Sequence, residues 1–123
     1  MLKDNFYFIK EQTVTDNSTV NFTVSLNSLH TIYQAHFPDN PVTPGVCIIQ
    51  IAKELFSFLK QKDCTVTKIK TVKFTHPIDP TLYNTIHFKM EWKDNINSFT
   101  VKVTVYEEDT VFSKINMEVK KNE

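Results

Sequence analysis

Val46-Cys47-Ile48-Ile49-Gln50-Ile51-Ala52-Lys53-Glu54-Leu55-Phe56-Ser57-Phe58-Leu59-Lys60 is the stretch on which the fold turns. Its apolar residues do not alternate, and they leave one polar stripe of Gln50, Lys53, Glu54, Ser57 and Lys60. At about 100° per residue that stripe covers roughly a third of a helix circumference. A helix so coated must be enclosed by other elements. Thr43-Pro44-Gly45 marks its start, with Thr43 able to cap and Pro44 suited to the first turn.

On both sides of this helix the period of the pattern changes to two. Val20, Phe22, Val24 and Leu26 alternate with Thr19, Asn21, Thr23 and Ser25. Ile86, Phe88, Met90 and Trp92 do the same with Thr85, His87, Lys89 and Glu91, as do Phe99, Val101, Val103 and Val105 with Ser98, Thr100, Lys102 and Thr104. Each is the signature of a strand with one face inward. Asp94-Asn95 and Glu107-Glu108-Asp109 supply turns, so the strands from residue 85 to Val119 read as an antiparallel meander. Asn5 to Lys10 and Val66 to Phe74 are weaker strands. The order is two strands, a long loop, one buried helix and four strands. This is an α+β domain over residues 1–123 whose antiparallel sheet wraps around one long central helix.

Composition narrows the function. The single glycine, Gly45, excludes phosphate loops and dinucleotide fingerprints, which need several glycines at fixed spacing. Lysine and acidic residues number 14 each, with a net charge of zero, so no basic field points to nucleic acid. The longest apolar run, Val46 to Ile49, is far below the roughly 20 residues that cross a bilayer, and Met1-Leu2-Lys3-Asp4 lacks an apolar signal core. A cytoplasmic chain without membrane insertion is expected, with Cys47 and Cys64 as reduced, buried thiols. No metal-ligand spacing is present, and neither metal nor cofactor is expected.

Proline and the only glycine concentrate in His36-Phe37-Pro38-Asp39-Asn40-Pro41-Val42-Thr43-Pro44-Gly45, just ahead of the helix. Three prolines stiffen a loop that delivers a histidine beside the free N–H groups of a helix start. A base next to donors for a carbonyl oxygen suits acyl-thioester chemistry. A loop histidine also serves purely structural roles, and a Pro-rich loop can do no more than position a helix. The pattern His-Phe-Pro-x-x-Pro-x-x-Pro-Gly before an apolar helix resembles the active-site loop of the 3-hydroxyacyl-(acyl-carrier-protein) dehydratases of the FabZ and FabA type, which have the hot-dog fold. Val72-Lys73-Phe74-Thr75-His76-Pro77-Ile78-Asp79-Pro80 is similar to that family's strand after the helix.

The resemblance implies that His36 is the base that takes a proton from the carbon beside the thioester carbonyl. It also implies that Gly45 offers its N–H to the carbonyl oxygen, where the helix dipole favours the developing charge. Phe37, Pro44, Val46 and Glu54 are the expected substrate-binding residues. In the family an acid 14 residues after the histidine reaches the site of the neighbouring subunit and helps the hydroxyl leave as water; this chain has Gln50 there. A carboxamide orients a hydroxyl or water but donates no acid proton. General-acid help is worth about 10²–10⁴-fold, so Gln50 leaves three readings: a dehydratase with a substitute acid, a thioesterase, or a subunit that binds the acyl group. Asp39 and Glu54 are the nearest carboxylates, although solvated turn and stripe positions account for both. The implied partners are an acyl carrier protein or coenzyme A thioester, and a second hot-dog subunit. That subunit is a copy of this chain or an acid-bearing relative, as in the heterodimeric dehydratases of aryl polyene synthesis.

The other histidines read more plainly. His30 and His87 are expected on the surface, and His76 is expected at a packed strand end or in a supporting role near the site mouth. Lys68, Lys70 and Lys73 suit a solvent-facing edge strand or a basic rim for an acidic carrier.

Overall fold

The computed structural model describes residues 1–35 and 39–121. His36, Phe37 and Pro38 lie outside the described residues, as do residues 122 and 123. The elements are β1 (Tyr7–Asp16), β2 (Thr19–Leu26), α1 (Thr31–Ala35), α2 (Gly45–Lys60), β3 (Thr65–Phe74), β4 (Thr85–Asp94), β5 (Ser98–Glu107) and β6 (Thr110–Lys120). All strand pairs are antiparallel, in one six-stranded sheet of order β1-β2-β4-β5-β6-β3. The sheet wrapped around a central helix is the architecture expected from the patterning.

The alternating residues point as their period requires. Val20, Phe22, Val24 and Leu26 of β2 are buried, as are Ile86, Phe88 and Met90 of β4 and Val101, Val103 and Val105 of β5. They pack with Ile48, Ile51, Leu55 and Phe56 of α2 in one core. In the meander Phe88 lies opposite Val105 and Val103 opposite Ile115, and the β5–β6 register shifts once, between Val105 and Tyr106. Cys47 and Cys64 are free and buried, and burial pushes the Cys47 thiol up.

Four local expectations are corrected. The first strand is not Asn5 to Lys10 but Tyr7–Asp16, bulged twice against β2; its outer half is exposed and polar, so only backbone pairing holds it and no side-chain period announces it. The loop before α2 contains the short helix α1. At its start His30 is half-buried: its Nδ1 accepts the Ile32 N–H at 3.1 Å, and its ring meets the Phe6 edge at 5.2 Å. Thr43 does not cap α2. Pro44 is the cap residue and no side chain bonds there, because the Thr43 hydroxyl turns inward to Tyr33 Oη at 2.9 Å and donates to the Ile78 carbonyl. Lastly, His87 is only 24% exposed: its ring stacks on Tyr106, Nδ1 meets Thr23 Oγ1 at 3.0 Å, and Nε2 lies 3.8 Å from Glu107.

Candidate functional site

The start of α2 is built around Gly45. As the first helical residue it has no helical carbonyl for its N–H one turn back, so this donor sits at the positive end of the helix dipole. A Cβ on Gly45 would lie 2.7 Å from Phe74 Cζ, so any larger residue there would have to push aside the tip of that half-exposed ring. Gly45, Ile48, Phe74, His76 and Ile78 line a cavity of about 420 Å³ at this end of the helix.

His76 projects into the same region. Its Nδ1 lies 2.9 Å from the Pro77 carbonyl, which can only accept, so Nδ1 carries a hydrogen there. Edge contacts to Tyr83 and Phe112 hold the ring. The sequence favoured a packed strand end for His76 over a supporting role near a site mouth; the structure leaves it exposed, lining one cavity with Gly45.

Gln50 opens elsewhere. A second cavity of about 740 Å³ is lined by Gln12, Gln50, Lys53, Glu54, Ser57 and Phe58, with Met1 and Lys3 at its rim. Within this chain the structure therefore brings Gln50 and Glu54 together, and brings Gly45 and His76 together, but it does not join the two pairs in one cavity. Val46 is 75% exposed and lines neither, and Pro44 carries the helix cap. His36 and Phe37 are outside the described residues. Asp39 is exposed, as a solvated turn position should be.

Glu54 departs most from its sequence reading. It is not on a solvated stripe: it is 6% exposed. Oε1 accepts from the N–H groups of Leu2 and Lys3 at 3.1 and 2.8 Å and from Tyr7 Oη at 3.1 Å. Oε2 accepts from Leu2 N–H at 2.8 Å and from Gln50 Nε2 at 2.7 Å. Four donors thus converge on one carboxylate, which is how a buried charge is accommodated. Burial, and then the neighbouring Glu54 charge, push the Tyr7 phenol above its ordinary value. Nothing local in the sequence signals this cluster, because residues 2, 3 and 7 meet residue 54 only in the folded chain.

Among the described residues no group of three His, Cys, Asp or Glu side chains could hold a metal ion. No helix among them is long and apolar enough to cross a membrane.

A six-stranded antiparallel sheet around a long helix, with a glycine amide at the helix start, defines a hot-dog protein. The model of the ApeI-like family, described as ApeI dehydratase, matches residues 11–115, and the chain belongs to that family. Solved structures share the fold. A chain of the dehydratase heterocomplex ApeI:P from Xenorhabdus doucetiae superposes with a TM-score of 0.74 at 20% identity, over 92% of this chain and 96% of that one. A hypothetical thioesterase from Streptococcus pneumoniae TIGR4, solved with coenzyme A, gives 0.65 at 11% identity over 96% and 90%. The E. coli PaaI protein from a phenylacetic acid degradation operon gives 0.66 at 8% identity over 92% and 79%. No curated protein sequence matches the chain significantly.

Proposed function

We propose that residues 1–123 act as one hot-dog subunit of a 3-hydroxyacyl thioester dehydratase in fatty-acid or polyene-type biosynthesis, with a site completed by a second subunit. The observation that carries this is the separation of Gly45 and Gln50 into different cavities of one chain. An amide donor at one end and a polar side chain on the helix face then meet only between subunits. His36 removes the proton from C2, and the Gly45 N–H takes the charge that develops on the carbonyl oxygen. The C2–C3 double bond forms as the C3 hydroxyl leaves with a proton from an acid. That acid comes from an acid-bearing hot-dog partner, whereas Gln50 of this chain, which supplies no proton, faces the partner's site and holds a hydroxyl there. Phe37, Pro44 and Val46 lie along the acyl group, whose carrier is an acyl carrier protein or coenzyme A. Membership of the ApeI-like family and likeness to a dehydratase heterocomplex support this reading. Thioester hydrolysis is the second reading, favoured by Gln50 as a holder of water.

The test is conversion of 3-hydroxyacyl to trans-2-enoyl thioesters by the purified chain, alone and with an acid-bearing hot-dog partner, followed by mass spectrometry. Enoyl product only with the partner is expected, and His36→Ala should lower that turnover by at least about 10²-fold. Free acid as product would transfer the assignment to hydrolysis. Undiminished turnover by the His36→Ala variant would remove the histidine from the mechanism.

A further inference from the structure

Glu54 is a buried ionisable group for which the dehydration chemistry above has no use, and its contacts determine what Gln50 can do. A carboxamide is ambiguous: one end accepts hydrogen bonds and the other donates. A carboxylate is not ambiguous, because when ionised it only accepts. Since Gln50 lies 2.7 Å from Glu54 Oε2, the end facing Glu54 must be the NH2 group. Gln50 Oε1 is then turned away from Glu54, on a side chain that lines the cavity of about 740 Å³.

Glu54 cannot turn to release it. The Leu2 and Lys3 N–H groups and the Tyr7 hydroxyl, all from the N-terminal segment, also bond the carboxylate and hold it in place. An N–H donated to an anion also polarises the amide, making its oxygen a stronger acceptor.

We infer that Glu54 is a positioning residue that fixes Gln50 as a hydrogen-bond acceptor, so that position 50 selects acyl groups bearing a hydroxyl. The inference deepens the proposed acyl-thioester function and rests on it. It concerns discrimination rather than proton transfer: a site built to accept from a hydroxyl loses affinity for an acyl chain that lacks one. The hydroxyl in question is the one at C3 that dehydration removes.

The test compares two stable probes, 3-hydroxyoctanoyl and octanoyl pantetheine with the thioester sulfur replaced by NH, bound to the full chain and followed by calorimetry. The wild type should prefer the hydroxylated probe by about tenfold, the scale of one hydrogen bond. Glu54→Gln frees the Gln50 amide to present either end and should bring the ratio to within about twofold. A ratio cancels any general loss of affinity from looser packing, which a merely structural Glu54 would produce. Gln50→Leu, which leaves the Glu54 cluster on the N-terminal segment in place, should abolish the preference and serves if Glu54→Gln does not fold. Equal binding of both probes by the wild type overturns the inference and leaves the acyl-thioester reading standing, as does an unchanged preference in Gln50→Leu or a folded Glu54→Gln. Binding of neither probe, by the chain alone or together with the acid-bearing partner, removes both.

Discussion

At the scale of single residues, the polar groups that matter were the least visible in the sequence. Gln50 was found because the loop motif fixes its distance from His36, and Gly45 because it is the only glycine. Glu54 looked like a solvated stripe residue, since its partners at Leu2, Lys3 and Tyr7 are brought to it by the fold. Thr43 and Tyr33 show the same limit. A threonine before a helix suggests a cap, but this one closes a buried link from α1 to the Ile78 carbonyl. The burial of this tyrosine, rather than its bond to Thr43, has a measurable consequence: it pushes the Tyr33 phenol up to about 12 from 10.0. A phenol whose pKa is raised on folding stabilises the protein in its neutral form, fully below pH 10 and progressively less as pH rises towards 12. Thermal melts from pH 9 to 12 should show the midpoint falling through that window, and Tyr33→Phe should fall less steeply there. Parallel curves for the two proteins would show that Tyr33 does not report the loss.

At the scale of elements, period decided what was legible. The alternating strands β2, β4 and β5 and the helix α2 stand within about two residues of their expected limits, because each buries a face whose repeat differs from that of its neighbours. β1 ran past its expected end because an edge strand with polar outer residues has no inward face to pattern. α1 is too short to show a helical repeat. The far end of α2 closes on Gln61, a non-glycine residue at φ 57°, with the Lys62 N–H returning to the Ser57 carbonyl. Beside it Lys60 extends over the Trp92 and Phe99 rings at 4.7 and 4.6 Å, a cation at the negative end of the helix dipole. A left-handed backbone strains a residue with a Cβ, so Gln61→Gly should raise stability by about 0.5–1 kcal/mol in urea unfolding. No change, or a loss, would mean that the Gln61 side chain contributes more than its backbone costs.

At the scale of the whole molecule, the sheet ends on β3, whose second edge has no strand beside it among the described residues. The strand is long and largely exposed. It carries Ile69, Val72 and Phe74 at 37%, 36% and 51% exposure, together with Lys68, Lys70 and Lys73. The lysines account for an edge that resists indiscriminate pairing, and the apolar residues for one that accepts a particular partner. The proposed composite site calls for a second subunit, and we propose that it pairs along this edge. Replacement of Ile69 by Lys should therefore shift the protein towards the monomer in light scattering without loss of its circular dichroism. An unchanged mass would move the association to another face.

The placement of β3 also constrains how the chain is made. It follows α2 in sequence, but the strand it pairs with is β6, so that Thr65 waits for Lys120 and Phe74 for Ser113. A ribosome adding about 5–20 residues per second exposes β3 well before β6 has left the exit tunnel. During that interval an apolar strand has both edges open. The emergence of β6 gives β3 its partner and ends this period of risk, so slowed synthesis or truncation before β6 should show itself as aggregation of the nascent chain rather than as a weakened native fold.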